Sequence, residues 1–389
     1  MGPRASVELS DCVLITPFCV SERRTSSPAV YPFVHEIVRP ENPRVIRRKE
    51  AAVHEKKCGR DVHRGYWRHN EMKANLNNLL KIYARQKTGM FGANYTPAIQ
   101  ATKFEAPRIS WATIMRSERL GRSLHLLSSA EKQAVLLALY NPSVFDLHEQ
   151  KMLWATSSEH PLYGHQASAG MLLKSFEGTL KVCERMGDVK WHHGFYLPKS
   201  EGGERMAFPY IGDLLLFCMG GENYPYCVNW TVKKYREDFS EKDYGKVKGP
   251  LKKQKDMLAA EFRHELEERY YRGAGIRTVR FVPDDIDVQV LVNLDLLFSW
   301  HHRLIPLEKN LVADLIEDLN FGVVKGDAPF SIINRYLKYA NREHLLRVFY
   351  NAVWTRQLRV SLFDPVLVDK PMREEKRDVL SVYQNLFAE

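Results

Sequence analysis

Apolar residues recur along the chain first at helical spacing and then at strand spacing. Helical periodicity predicts four helices before residue 275, over residues 71–86, 130–140, 167–186 and 251–272. Runs rich in β-branched and aromatic residues predict four strands, over residues 143–150, 210–219, 226–233 and 276–282. A helix, two strands, a helix and a strand in succession are typical of a mixed α/β sheet flanked by helices.

Local signals support several of these boundaries. Ser128 and Ser129 stand where the N-cap of the second helix is expected, and Asn141-Pro142 follows its last apolar turn. The turn-forming residues 220–223 separate the second and third strands, which predicts a hairpin. Gly273 and Gly275 end the long charged helix.

Beyond residue 283 the pattern is mostly helical. It predicts helices over residues 286–300, 307–319, 330–339 and 343–356. A strand over 357–363 with a partner over 365–368 would close this region with a hairpin. Short helices followed by a hairpin are typical of a winged-helix module.

The chain length allows two or three domains. With 389 residues, we divide the chain into a basic N-terminal extension (1–120), an α/β catalytic domain (121–284) and a winged-helix-like C-terminal domain (285–389). The apolar and charged fractions are those of a globular protein, and no run of eighteen apolar residues is present, so we expect no membrane association. Six cysteines without a CxxC pair favour reduced thiols in the cytoplasm over a disulfide-bonded secreted scaffold.

The positive charge is concentrated in the first third of the chain. Residues 1–120 hold 21 Lys and Arg against 11 Asp and Glu, whereas the rest holds 36 of each. Aromatic residues are interspersed with this basic segment, which favours a nucleic acid partner over a merely solubilising extension. The candidate DNA contacts are Arg47, Arg48, Lys49, Lys56, Lys57 and Arg122.

A candidate catalytic group falls on the predicted hairpin. Asp213 lies in its first strand, and Thr231 and Lys233 share one face at the end of its second strand. A carboxylate can hold Mg²⁺, which polarises a phosphodiester and activates a water molecule, and a lysine can neutralise the charge that develops on the phosphate. The alternative to a catalytic group is that Asp213 only caps the end of the strand and that Lys233 is a solvated residue at the sheet edge.

Glu131, on the first turn of the second helix, is a further candidate ligand. Its position also suits stabilisation of the helix dipole. A zinc site at His54, Cys58, His63 and His69 is disfavoured, because their spacing fits no standard zinc finger.

The stretch 121–150, GRSLHLLSSAEKQAVLLALYNPSVFDLHEQ, resembles the opening of the TnsA endonucleases, the restriction-enzyme-like subunits of heteromeric bacterial transposases. Three later pieces follow in the family's order, at residues 211–214, 231–233 and 266–271, so that the resemblance covers roughly residues 120–290. It departs from the family at Thr231, where Glu or Gln is usual, and at Gly212, where proline is usual. The segment between Gln150 and Asp213 is also longer than expected.

The resemblance implies a restriction-endonuclease-like fold with Glu131, Asp213 and Lys233 as the catalytic set. Mg²⁺, with Mn²⁺ as a substitute, would be held by Glu131, Asp213 and Thr231, the last through its backbone carbonyl. Glu267 and Gln150 would be auxiliary residues.

The same resemblance implies a function in transposition. The enzyme would cut one DNA strand at each transposon end, in the bacterial cytoplasm and associated with the nucleoid. Its partners would be an integrase-type transposase and an ATP-dependent regulator. Two alternatives stay open, which are a stand-alone restriction-type nuclease and a catalytically decayed DNA-binding assembly subunit.

Overall fold

The computed structural model describes residues 73–107, 111–187, 189–240 and 249–389. All of them belong to one compact unit, His54–Glu389, and the elements below are those of that unit. Five candidate DNA contacts lie outside the described residues, namely Arg47, Arg48, Lys49, Lys56 and Lys57.

Helices and strands alternate in the first two thirds of the described chain, and helices dominate the last third. In chain order the elements are α1 (Leu76–Arg85), β1 (Thr113–Ser117), β2 (Arg122–Leu126), α2 (Ser129–Tyr140), β3 (Val144–Leu153), α3 (Thr179–Arg185), β4 (Gly194–Tyr196), β5 (Arg205–Ala207), β6 (Tyr210–Met219), β7 (Pro225–Val232), α4 (Pro250–Gly273), β8 (Arg277–Phe281), α5 (Val288–His301), α6 (Lys309–Lys325), α7 (Pro329–Tyr336), α8 (Arg342–Trp354) and α9 (Val379–Val382).

The central sheet has four strands in the order β3-β6-β7-β8. Neighbouring strands are antiparallel except β7 and β8, which are parallel because α4 connects them. Two small hairpins, β1–β2 and β4–β5, accompany the sheet. The predicted mixed α/β architecture is confirmed, whereas these two hairpins were not predicted.

Both faces of the sheet are buried. Strand alternation sends Leu214 and Leu216 of β6 into a large core that also contains side chains of α2 and α5. Leu215 and Phe217 point to the other face, where they pack with Tyr271 and other residues of α4. Each face is therefore covered by helices, as the near-continuous apolar run of β6 requires.

The ends of α2 lie where the sequence predicted them. The Ser128 side chain accepts a hydrogen bond from the Glu131 backbone N–H, which satisfies one of the unpaired donors of the first turn. Asn141 is the C-cap, and Pro142 follows it. This cap fixes where the first turn begins and thereby sets the position of Glu131.

The helix predicted over residues 167–186 is mostly wrong. Only Thr179–Arg185 is α-helical, and this helix begins after Gly178, whose φ of +92° lies outside the helical region. A Cβ at position 178 would lie 2.4 Å from the carbonyl carbon of Thr156. The two segments of the chain therefore approach each other too closely at this position for any residue other than glycine. An isolated antiparallel bridge pairs Phe176 with Ser158 just before this helix.

The four C-terminal helices are confirmed, but the hairpin predicted after them is not formed. The segment pairs only through an isolated bridge between Val360 and Glu374. The buried Asn293 explains this, because its amide nitrogen donates to the carbonyls of Leu362 and Asp364 and its oxygen accepts from the Val366 N–H. Backbone groups that a hairpin would pair are bound by one side chain.

The C-terminal helices share the large core with the sheet. Trp230 of β7 stacks on Phe281 and donates its indole N–H to the carbonyl of Leu386, close to the chain end. None of the helices in the described ranges combines the length and the apolar character that crossing a bilayer requires. The boundaries proposed at residues 120 and 284 stay predictions.

The segment 86–98, from the predicted N-terminal extension, lies along the outer edge of β3. The Gln86 side chain accepts a hydrogen bond from the Met152 N–H, and Tyr95 donates its hydroxyl to the carbonyl of Glu149. The Ala98 N–H donates to the carbonyl of Gln150. The edge strand that carries Gln150 is thus fixed from outside the sheet.

Candidate active site

Asp213 and Lys233 form an ion pair on neighbouring strands. Asp213 Oδ2 accepts hydrogen bonds from the Lys233 ammonium at 3.2 Å and from the Val232 N–H at 2.8 Å. Lys233 follows β7 directly, and its backbone N–H still pairs with Phe281 of β8. Both side chains retain partial exposure, 16% for Asp213 and 25% for Lys233. A substrate can therefore reach them.

Glu131, on the first turn of α2, interacts electrostatically with this ion pair. One of its carboxylate oxygens accepts hydrogen bonds from the Leu127 N–H at 2.8 Å and from the Gln150 amide at 2.9 Å, and the other contacts the Ser128 hydroxyl at 3.2 Å. Burial raises the pKa of Glu131 to about 8, with a further contribution from the negative charge of Asp213. Lys233 acts in the opposite direction. The ionisation of Glu131 is therefore linked to the charges of both Asp213 and Lys233.

Gln150 links Glu131 to the sheet through an unusual backbone conformation. Its φ is +51°, in the left-handed region that residues other than glycine seldom adopt. Its neighbours pair with β6 as Glu149–Leu214 and Lys151–Gly212, so Gln150 stands opposite Asp213. The conformation directs the amide to Glu131, at a cost on the order of 1 kcal/mol. The hydrogen bond from Ala98 helps to maintain it.

Thr231 and Glu267 are joined by a hydrogen bond. The Thr231 hydroxyl donates to a carboxylate oxygen of Glu267 at 3.0 Å, and the Asn229 amide donates to the same oxygen at 3.0 Å. Burial, followed by the charge of Asp213, raises the pKa of Glu267. Because the Thr231 hydroxyl is engaged, that side chain is a poor metal ligand, and the role of its carbonyl stays a prediction.

Arg122 is not a surface cation, which corrects its assignment as a DNA contact. Its side chain is 6% exposed, and its guanidinium donates to both carboxylate oxygens of Glu149 at 2.8 and 2.7 Å. It also lies 4.9 Å from the ring centroid of Tyr95. A bidentate buried pair of this kind holds β2 on β3. Counting cations along the chain could not distinguish such a pair from a DNA-facing arginine.

Sequence reasoning missed three residues beside the ion pair. His264 and Arg263 of α4 and Phe239, in a 3-10 turn after β7, surround Lys233 and Asp213. The signal was the helical spacing of His264 with Glu267 and Tyr271, which places all three on the sheet-facing side of α4.

The donor set suits Mg²⁺ better than a transition metal. Within the described ranges, no three His, Cys, Asp or Glu side chains gather as a metal-binding cluster. Mg²⁺ needs fewer protein ligands than such a cluster provides, since it commonly binds one or two carboxylates together with water and substrate phosphate. Asp213 uses one oxygen for its two hydrogen bonds, and no described side chain or backbone donor binds the other. The residues of the zinc alternative, His54, Cys58, His63 and His69, lie outside the described residues.

Comparison with known proteins gives no relative from which a function could be transferred. No family model matches the chain, and no curated protein is similar to it.

Proposed function

We propose that this chain is a Mg²⁺-dependent DNA endonuclease with a restriction-endonuclease-like core of the TnsA type. The observation that carries the proposal is the ion pair of Asp213 and Lys233, with which Glu131 of α2 interacts electrostatically. These are the residues that the TnsA resemblance designates, and they are distant in sequence. An acid, a second acid and an amine around one partly exposed position suit phosphodiester hydrolysis.

The chemistry follows from the position of each group. Asp213 and Glu131 would hold Mg²⁺, which when bound supplies Lewis-acid activation of the phosphate and of a water molecule. Lys233, kept beside Asp213, places its ammonium where negative charge develops on the phosphoryl oxygens. Gln150 donates a hydrogen bond that helps to hold the Glu131 carboxylate in place.

The biological setting rests on the resemblance of residues 121–150. On that basis the enzyme cuts one strand at each transposon end and leaves strand joining to an integrase-type transposase, and an ATP-dependent regulator is the second partner. Plasmid cleavage by the purified protein alone would distinguish a stand-alone nuclease from a transposase subunit. Cleavage that requires the transposase favours the complex.

A second candidate function is a decayed assembly subunit that binds DNA without cutting it. Thr231 favours it, because the strand lacks the usual acid and the hydroxyl is bound to Glu267. Titration calorimetry with Mn²⁺ separates the two. The nuclease binds Mn²⁺, and Asp213→Asn weakens that binding, whereas a decayed site binds none.

The decisive experiment is a nicking assay on supercoiled plasmid with Mg²⁺. Asp213→Asn and Lys233→Ala should each lower the rate by a hundredfold or more, on the order of the loss seen when one transition-state contact is removed. Lys234→Ala is the matched control, since this exposed neighbour contacts Tyr235 and not Asp213. Circular dichroism checks that each variant is folded. Undiminished cutting by both site variants refutes the assignment.

A further inference from the structure

A small cavity between β3 and α4 has no role in the chemistry above. The loop of residues 87–90 and the segment of residues 159–161 enclose it together with side chains of the two elements. It offers about 20 Å³ to a small molecule, which is room for one group the size of water. Much of its wall is aromatic, but two nitrogen-bearing side chains of β3 also line it, namely His148 and Lys151.

His148 is buried without a hydrogen-bond partner. Its side chain is 2% exposed and stacks on the ring of Tyr95, with 3.7 Å between the ring centroids. Among the described residues, neither of its ring nitrogens makes a hydrogen bond. Nε2 lies 3.5 Å from a carboxylate oxygen of Asp146, but without the geometry of a hydrogen bond. A buried polar group in this state is costly, and a ligand in the cavity would relieve the cost.

Lys151 lies against the same aromatic ring and forms no ion pair. Its Nζ is 5.4 Å from the ring centroid of Tyr95, and no carboxylate in the described ranges lies within salt-bridge distance of it. The charge of Asp146 acts on it only through space, because that carboxylate accepts hydrogen bonds from the Gly92 and Leu147 N–H groups. Burial lowers the pKa of Lys151 to about 8, so the amine is still mostly charged at neutral pH.

An irregularity of β3 brings these two side chains to one cavity. Residues three apart on a regular strand point to opposite faces of the sheet. Gln150 lies between them with a φ of +51°, and this left-handed residue breaks the alternation. Lys87 and Glu159, which are both exposed, carry the other charges of the lining and offset each other. The positive charge of Lys151 therefore has no counterpart in the cavity.

We propose that this cavity binds a small inorganic anion, close to chloride in size, between Lys151 and His148. An anion accepts a hydrogen bond from each of the two nitrogen groups and balances the charge of the ammonium. A cation is repelled by Lys151, and a neutral apolar molecule would leave both groups without a partner. His160, also in the lining, is already engaged, since its Nδ1 accepts from the Leu162 N–H. The proposal does not depend on nuclease activity.

The test measures thermal unfolding of the full-length chain as sodium chloride replaces sodium gluconate at constant ionic strength. Gluconate is too large for the cavity, so only chloride should stabilise the wild type, by roughly 4 °C at ten times its Kd. Lys151→Met should lose this response, yet in gluconate it should be at least as stable as the wild type, because it removes an unpaired charge. Lys181→Met is the matched control, since this exposed lysine of α3 does not line the cavity and should keep the response.

Bromide in place of chloride locates the ion. Anomalous scattering from a crystal grown with bromide should show a peak within hydrogen-bond distance of Lys151 Nζ and a ring nitrogen of His148. His148→Phe keeps the stacked ring and removes the nitrogens, so it should retain a weaker response to chloride. A single water molecule is the alternative occupant. Water density without an anomalous signal, or a chloride response that is equal in the wild type and Lys151→Met, overturns the proposal.

Discussion

Glu131→Gln tests the electrostatics of the candidate site without reference to any substrate. The pKa of Glu131 is raised from 4.5 to about 8 by burial and by Asp213. In the unfolded chain the carboxyl ionises near its ordinary value, so between those two pH values only the folded chain holds the proton. Folding stability therefore falls as pH rises through this window.

The expected size follows from the width of the window. Each pH unit within it contributes about 1.4 kcal/mol, so several units amount to a few kcal/mol. Glutamine imitates the protonated acid, since its oxygen can accept from Leu127 and Gln150 and its amide can donate to Ser128. Unfolding by urea should show wild type and variant of similar stability near pH 5, and the variant more stable by a few kcal/mol near pH 8.

Mg²⁺ adds a second arm to this experiment. A cation favours the ionised carboxylate, so Mg²⁺ near pH 8 should stabilise the wild type more than Glu131→Gln. Equal pH dependence of the two proteins would contradict the placement of Glu131 beside Asp213. Stabilisation by Mg²⁺ that is identical in the two would remove Glu131 from the ligand set.

Three further predictions concern other parts of the chain. Arg122→Met leaves Glu149 buried and unpaired, so it should lower the free energy of unfolding by about 3–5 kcal/mol. Adding Glu149→Gln should restore part of that stability. A loss below about 1 kcal/mol for Arg122→Met would contradict the buried pair. Burial is the main reason that the pKa of His148 is lowered from 6.5 to about 3, so the stability that the neutral ring contributes is lost as pH falls through that window. His148 stacks on Tyr95, and His148→Phe, which keeps a ring there but cannot be protonated, should lose less stability in acid. Five candidate DNA contacts lie outside the described part, namely Arg47, Arg48, Lys49, Lys56 and Lys57. Replacing them by glutamine should make the affinity for DNA, measured by fluorescence anisotropy, less dependent on salt concentration. An unchanged slope would exclude them as phosphate contacts.

The central sheet was predictable because its signals are local and strong. The strand at Tyr210–Met219 is apolar from Leu214 onward, and the cap at Ser128 is a short-range hydrogen bond between neighbours. The helix expected over residues 167–186 failed because long-range contacts decide that region. The close approach of Gly178 to Thr156 joins parts of the chain whose contact the apolar spacing does not reveal.

The C-terminal hairpin failed for a related reason. Residues 357–363 have strand-like composition, but the amide of Asn293, some seventy positions earlier, binds the carbonyls of Leu362 and Asp364. A polar residue within an apolar helix gives no indication of which distant backbone it will satisfy. Tertiary contacts of this kind override local strand propensity.

In the candidate site, the residue types were predictable but their surroundings were not. Strand alternation brought Lys233 to the face of Asp213, as the ion pair shows. The left-handed conformation of Gln150 and the burial of Arg122 depend on residues 86–98 and on Glu149, whose positions no local pattern reveals. The contact of His264 with Phe239 likewise joins α4 to a turn in another part of the chain.

The arrangement of acids bears on whether this site binds a cation or has decayed. Burial raises the pKa values of two carboxyls, Glu131 and Glu267, and the charge of Asp213 raises each of them further. Only Lys233 pairs directly with Asp213, so the group holds more acid than base. Buried acids that oppose each other's ionisation lower stability, and a divalent cation relieves that opposition. Glu267 of α4 also accepts a hydrogen bond from the Thr231 hydroxyl, and under the proposed function this carboxylate takes the place of the acid missing from the strand. This cluster of acids favours the proposed cation binding over the alternative of a decayed assembly subunit.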